Sequence, residues 1–264
     1  MLFRSFNIPL LAYYLSQVIF NQSDRIMISH ITSTSDAAMY GVAYNLAMIL
    51  TFVLNAINGS YVPWLYGKIK KNNAQDNKSI SLILIMLMGL IILCVIWYAP
   101  EIILIMAGKQ YSVAIYVVAP VSMSLLLLFY SQLFINIEFY YEEKKMLVYG
   151  SIGAAVLNII LNGLLIPIFG FVAAGYTTLI SYIVFALSNY YTMRLMLKKR
   201  KLDDDMYDYK LLLLLFVAFM ISGFLGVSLY GNLILRILIT LVVFGLLVIN
   251  KNKFIDALKK IKER

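Results

Sequence analysis

Residues 211–229 read LLLLLFVAFMISGFLGVSL, a run with no charged side chain. As a helix rising ~1.5 Å per residue, it is long enough to cross the ~30 Å of hydrocarbon in a bilayer. Comparable apolar runs fall at about 8–31, 39–66, 80–98, 112–140, 146–168, 171–197 and 233–250. They are too long for the ~10-residue strands of a membrane barrel and do not alternate as such strands do. Composition agrees, with 62% hydrophobic and 13% charged residues, against about half and a quarter in soluble domains. The expectation is an all-α integral membrane protein with about eight transmembrane helices.

The basic residues test that count. Eight spans place both termini on one side. All but Arg25, Lys109 and Arg236 of the 22 Lys and Arg residues then fall on that side or at helix ends facing it. They include Lys68, Lys70, Lys71 and Lys78, the pair Lys144–Lys145, the run Lys198–Lys201, and the tail KNKFIDALKKIKER. The positive-inside rule makes that side cytoplasmic, so both termini are expected in the cytoplasm. Seven spans would scatter these loops over both faces. The net charge of +9 is therefore a topology signal, not a sign of nucleic-acid binding. Trp64 and Tyr66, and Trp97 and Tyr98, read as interface anchors at opposite ends of their helices. The tail reads equally as an amphipathic segment on anionic lipid or as a stop-transfer cluster. No cleavable signal peptide is apparent.

Several function classes drop out. The loops of the outer side, at about 30–38, 99–111, 169–170 and 230–232, are short, and no soluble domain is inserted. A membrane glycosyltransferase or polymerase needs an extramembrane surface with convergent carboxylates, so no enzyme is expected. The single Cys94 excludes an internal disulfide and a Cys-rich metal site and reads as a small hydrophobe. No cofactor and no metal are expected.

Polar residues recur at helical spacing inside the spans. In the first, Tyr14, Gln17, Asn21 and Arg25 lie within about 80° of one another. The second carries Tyr40, Tyr44, Thr51, Asn55 and Asn58; the fourth Ser124, Ser131 and Glu138 with Gln132 and Asn136 beside them. The fifth has Ser151, Asn158 and Asn162, and the sixth Thr178, Ser181, Ser188 and Thr192. Single Ser and Thr residues can bond their own backbone or hold helices together. The Asn- and Tyr-rich stripes point instead to a shared polar cavity, whose hydroxyl, amide and aromatic groups suit a sugar-bearing substrate. Asp24 and Arg25 are i,i+1 neighbours about 100° apart, so they are not a self-cancelling pair. Arg25 follows the stripe in the outer half of the membrane and can bind phosphate bidentately. Asp24 lies to its side, placed to orient Arg25 or to carry a coupling cation. Glu138 is expected at a solvated mouth, Arg236 to snorkel outward, and His30 to be a solvated end residue.

The stretch SDRIMISHITSTSDAAMYGVAYNLAMIL resembles the seventh and eighth helices of Wzx-type bacterial polysaccharide flippases, with an S-D-R motif followed by Tyr40-Gly41-Val42-Ala43-Tyr44. APEIILIMAGKQY resembles that family's outer segment ending at Gly108 and Tyr111. NIILNGLLIPIFGFVAAGYTTLIS matches a further stretch through Asn158, Asn162, Pro167, Gly170, Ala173 and Ala174. The resemblance covers about residues 1–200, in order. It implies the superfamily of multidrug, oligosaccharide-lipid and polysaccharide exporters, built of two six-helix bundles that work by alternating access in the bacterial inner membrane. Residues 1–200 would be the second bundle of a MATE-like flippase, and 201–264 two additional helices with the basic tail. The implied cargo is an undecaprenyl-pyrophosphate-linked oligosaccharide for O-antigen, capsule or exopolysaccharide synthesis. Arg25 would anchor the pyrophosphate. Asp24, Tyr14, Gln17, Asn21, Tyr44, Asn55, Asn58, Gln132, Asn158 and Asn162 would line the cavity or couple it to an ion. The expected partners are membrane lipid, the lipid-linked glycan, and a first six-helix lobe that these residues do not match, supplied by a longer chain or a second subunit. A glycan polymerase complex is a further expected partner. The abrupt start favours a truncated chain. Two alternatives stand beside this reading: a cation-coupled multidrug exporter of the same superfamily, and a non-transporting scaffold in a glycan assembly complex.

Overall fold

The computed structural model of the chain describes Leu15, Val18 and residues 22–143, 145–202 and 205–249. A first helix, α1, is described over 22–31. It is followed by α2 (Thr34–Lys70), α3 (Asn77–Trp97), α4 (Ala99–Met106), α5 (Ile115–Tyr140), α6 (Lys145–Phe169), α7 (Val172–Lys199), α8 (Tyr209–Ser228) and α9 (Leu233–Ile249). No strand occurs among the described residues. Of these, α2, α3, α5, α6, α7 and α8 are long and apolar enough to cross a membrane. The protein is an all-α, multi-pass membrane protein. The beginning of the first expected span and the basic tail lie outside the described residues.

Local chemistry sets the helix ends. Ser33 caps α2, its Oγ accepting from the Asp36 amide at 3.0 Å, and Asp208 caps α8 through the Leu211 amide at 3.1 Å. Gly170 closes α6 with φ +71°, a left-handed conformation that costs glycine little. Its amide reaches the Ile166 carbonyl at 2.9 Å. The loop expected at 99–111 is itself largely helical. Pro100 at the start of α4 suits a first turn, where a missing N–H costs nothing.

Helix α5 is the post of the bundle and is buried on nearly every face. It packs against α2, α3, α7 and α8, while α6 packs on the far side of α7. Gly175 permits the close α5–α7 crossing: a Cβ there would lie 3.0 Å from Pro120. On the other flank α8 lies along α3. Gly89, Gly223 and Gly226 leave room for Phe219, Met123 and Trp97, whose side chains fill the space a Cβ would need.

Tyrosines bind the helices where lipid offers no hydrophobic drive. Tyr130 Oη donates to the Leu212 carbonyl at 2.9 Å, Tyr230 Oη to that of Ile96 at 3.1 Å, and Tyr98 Oη to Thr240 at 3.0 Å. The segment before α8 is drawn inward: Tyr207 Oη donates to the Leu133 carbonyl at 2.7 Å, and Asn77 Nδ2 to that of Met206 at 3.1 Å. Two of the expected interface anchors turn inward. Trp97 donates to the Ser222 carbonyl at 3.2 Å, and Trp64 stacks near Tyr61. Both are buried, Trp97 in the space beside Gly226 of α8.

Candidate functional site

The serial residues Ser23, Asp24 and Arg25 leave α1 in different directions, as successive helical side chains must. Ser23 and Asp24 point into the junction of α1, α2, α6 and α7. Asp24 is 1% exposed. Its Oδ2 accepts from Tyr40 Oη at 2.5 Å and Thr178 Oγ1 at 2.7 Å, and its Oδ1 from Asn162 Nδ2 at 2.6 Å. The donors are themselves tied together. Asn158 Nδ2 donates to Thr178 at 3.2 Å, Ser23 Oγ to Asn158 Oδ1 at 3.1 Å, and Thr177 Oγ1 to Asn162 Oδ1. Asn158 and Asn162 share one face of α6 because they are four residues apart. Thr177 and Thr178 return to the same level one helix later, after the turn at Gly170. All seven side chains are buried.

This cluster holds one carboxylate, and the hydrogen-bond partners named above are neutral amides and hydroxyls. A buried charge so placed is expensive unless a cation or proton neutralises it. Carboxylate, amide and hydroxyl oxygens are the donors a hard cation prefers. No group of three His, Cys, Asp or Glu residues gathers among the described residues. Asp24 is the hub of the junction, not a residue beside the stripe.

Arg25 turns the other way, onto α2. Its Nη2 donates to Asn45 Oδ1 at 2.7 Å and to the Gly41 carbonyl at 3.3 Å. Its guanidinium carbon lies 5.0 Å from the Tyr44 ring centroid, within cation–π range. A Cβ on Gly41 would sit 3.7 Å from the guanidinium, an ordinary contact distance, so the seat does not depend on glycine there. Nε has no partner, and no carboxylate pairs with this guanidinium among the described residues. Arg25 is half-exposed and Asn45 is exposed. The arrangement seats a cation at the bundle surface with no carboxylate partner among the described residues.

The other expected site residues divide. Tyr44 is buried beneath Arg25, and Asn158 and Asn162 are buried in the Asp24 cluster, so these three do not face an open cavity. Asn55 is exposed on α2; Asn58 is half-buried and accepts from Asn136 Nδ2 at 2.8 Å. Gln132 is half-buried, with a buried Oε1 that has no partner. Tyr14, Gln17 and Asn21 lie outside the described residues. Ser23, Tyr40, Thr177 and Thr178 complete the cluster, and Gly41 and Asn45 complete the arginine seat. Of these, Asn45 had a legible signal, standing one turn after Gly41 on the same helix.

Two expectations about isolated polar residues come out differently, and a third stands. Glu138 is not at a solvated mouth: it is 2% exposed, bonded to Thr192 Oγ1, with Oε2 lacking a partner. The tight α5–α7 packing encloses it. Arg236 does not snorkel. It is 2% exposed and pairs bidentately with Glu101 at 2.6 and 2.8 Å, reaching the carbonyls of Trp97 and Tyr230 as well. Helix α4 brings Glu101 within reach, and that helix was not visible as one. His30 is exposed, as an end residue should be. Ser124 and Ser131 bond their own helix at 2.6 and 2.9 Å.

Comparison with known proteins agrees with the ordered motifs. Residues 2–67 match the family described as "Polysaccharide biosynthesis protein". The chain is 26% identical over 163 residues to "Lsg locus putative protein 1" of Haemophilus influenzae, covering 58% of this chain and 39% of that one. Two solved structures share its fold. One is an outward-facing multidrug resistance MATE transporter of the MOP superfamily; the other is a MOP superfamily transporter from Pyrococcus furiosus. Each superposes with a TM-score of 0.60 at 19% identity, over 85% of this chain and 52% of the other. The chain is thus similar in part to a polysaccharide biosynthesis family and shares its fold with transporters of the MOP superfamily. It spans about half the length of the solved transporters, and less of the curated relative.

Proposed function

We propose that this chain is one lobe of an alternating-access exporter that moves an undecaprenyl-pyrophosphate-linked oligosaccharide across the bacterial inner membrane, for lipopolysaccharide, capsule or exopolysaccharide synthesis. The observation that carries this is Arg25: a rigidly seated, half-exposed guanidinium without a carboxylate partner, inside a membrane helix bundle. Facing hydrocarbon, it would cost several kcal/mol. Facing a wet cavity, it is a ready-made anchor for a diphosphate. The second wall of that cavity is a first six-helix lobe, in the same longer chain or a second subunit. The share of the solved transporters that this chain covers supports that division, and the positions of the basic loops favour cytoplasmic termini.

Asp24 and its ring of amides and hydroxyls serve as the coupling site. A proton or sodium ion taken up there neutralises the carboxylate and biases how α1 sits against α6 and α7. Binding that differs between two conformations is what drives alternation. Arg25 and Asp24 thus divide cargo from coupling through two faces of one helix about 100° apart.

The test is Arg25→Ala in source cells. Surface glycan is expected to disappear while the protein's membrane level stays normal. Unchanged glycan export would remove the anchor role. A multidrug exporter is the second reading, favoured by the fold shared with a multidrug transporter. Sodium- or proton-driven drug efflux from vesicles, with glycan export unaffected by loss of the chain, would put it first.

A further inference from the structure

Helix α4 has eight residues and rises only ~12 Å, so it does not cross the membrane. It starts one residue after α3 ends, at the end of the bundle opposite the basic loops. The hydrogen bonds of Arg236 fix its level. They join Glu101 of α4 to the Trp97 carbonyl at the end of α3 and to the Tyr230 carbonyl in the turn between α8 and α9. Arg236 stands three residues into α9, about 5 Å from its start. Apart from Arg236 and Thr240, the side chains of α9 are apolar. Helix α4 therefore lies level with the beginning of an apolar helix, at the membrane boundary.

Its exposed face has a definite direction. Glu101, Leu104 and Ile105 are spaced i, i+3 and i+4 and share one side of the helix, whereas Ala99 and Ile103 are buried on the other. Glu101 meets α9, so Leu104 and Ile105 project on the flank of α9. Leu104 is 50% exposed, Ile105 84% and Met106 58%. No large hydrophobic side chain among the described residues is more exposed than Ile105. Ile234, Ile237 and Leu238, in the first turns of α9, are exposed as well, so the apolar surface is continuous with that helix.

Charge narrows the partner. Glu101 and Lys109 are the only charged residues between Tyr98 and Ala114. Arg236 neutralises Glu101. Lys109 follows Gly108, which turns the chain at φ +85°. It is exposed and makes no ion pair among the described residues. An apolar helix face beside one unpaired cation fits a lipid surface with negative headgroups. A second protein lobe fits less well, because the exposed polar side chains that would line a shared cavity are on α2, while this face sits with α9. We infer that α4 is an interfacial helix. Leu104, Ile105 and Met106 lie among acyl chains at the edge of the leaflet on that side, and Lys109 contacts the headgroup of an anionic phospholipid. The Glu101–Arg236 pair holds the helix at that depth. The inference does not depend on what the chain exports.

The experiment uses the full chain in lipid nanodiscs, with whatever it assembles with, in a Cys94→Ser background. A bimane fluorophore is placed on Ile105→Cys, with Leu225→Cys on α8 as a lipid-facing control. Two quenchers are compared: lipid brominated in the acyl chains, and aqueous iodide. Bromolipid is expected to quench the Ile105 label as it does the control, and iodide to quench neither. Phosphatidylglycerol and phosphatidylcholine carrying the same acyl-chain spin label then report the headgroup. The anionic lipid is expected to be enriched at the label by up to about fivefold, and Lys109→Gln to remove the difference. Both substituted residues, Ile105 and Lys109, are exposed, so melting temperatures should match the parent protein. Iodide quenching without bromolipid quenching would place α4 in water and overturn the proposal. Protection from both quenchers would show a protein partner on this face and overturn it as well. Equal quenching by the two spin-labelled lipids before Lys109 is changed would overturn the headgroup contact.

Discussion

Asp24 and Arg25 are adjacent in sequence, yet they serve different interfaces. The helix turns them about 100° apart, so the carboxylate meets α6 and α7 while the guanidinium lies on α2. Each can therefore be changed without removing the other's partner. Asp24→Asn keeps the volume and removes the charge. It is expected to leave the protein folded while abolishing any stabilisation by sodium or dependence on pH seen in thermal melts. A melt of Asp24→Asn that keeps the wild-type ion dependence would place coupling elsewhere. Tyr40→Phe removes the 2.5 Å bond to the Asp24 carboxylate and should cost about 1.5–3 kcal/mol, the range for a hydrogen bond to a charged group. Calorimetry or chemical denaturation in detergent reads that loss. Glu101 behaves oppositely to a solvated carboxylate: the Arg236 hydrogen bonds hold it below the ordinary range. Being depressed in the folded state, it stabilises above its unfolded value near about 4, and that contribution is lost as pH falls through the lowered value. Arg236→Met should reduce the melting temperature at neutral pH and flatten the acid limb of the stability profile. An acid limb unchanged from wild type would remove Glu101 from its causes.

Among the elements, α8 depends most on shape. It lies on α3 through Gly89, Gly223 and Gly226, and the Trp97 indole occupies the space beside Gly226 while bonding the Ser222 carbonyl. Gly226→Ala should displace Trp97, break that bond and shift tryptophan emission towards that of a more solvated indole. The protein has two tryptophans, so the same measurement in a Trp64→Phe background isolates the effect. No change in emission would mean that α8 rides outward instead of the ring moving. Sequence reading placed most of the spans well, because an apolar run of bilayer length is a local property. It took α4 for a loop because eight residues between two longer helices leave little periodicity to read. The missing helix also hid the partner of Arg236, which led to a snorkelling role for a residue that is in fact paired.

On the scale of the whole molecule, one flank of the bundle carries exposed polar side chains within its helices, and the other is mostly apolar. Phe52 and Asn55 mark the first flank. Ile221 and Leu225 of α8, 56% and 59% exposed, mark the second. A Cys94→Ser background leaves no other thiol. In it, the proposed wet cavity on the α2 flank predicts that Phe52→Cys reacts with a membrane-impermeant maleimide while Leu225→Cys, on the apolar flank, does not. Equal protection of both positions in membranes would show that the α2 flank is not wet. The same Phe52→Cys protein, treated with a bifunctional cross-linker, should capture a partner lobe when one is present.

Apolar run length, charge asymmetry and ordered motifs are written along the chain. From them the sequence by itself determined an all-α membrane bundle, its approximate spans, and its likeness to polysaccharide flippases. It also marked which helices carry polar stripes. Only the tertiary structure decided what each polar residue faces. Tyr40, Asn55 and Asn58 share one helical stripe, yet Tyr40 is sealed against Asp24 while Asn55 stands open. Asn158 and Asn162 were legible as a pair, but not as ligands of a carboxylate on another helix. The reason is physical. Helical periodicity follows from the backbone's own geometry, residue by residue. The satisfaction of a polar group in a low-dielectric interior depends on partners more than a hundred positions away, which only packing brings together.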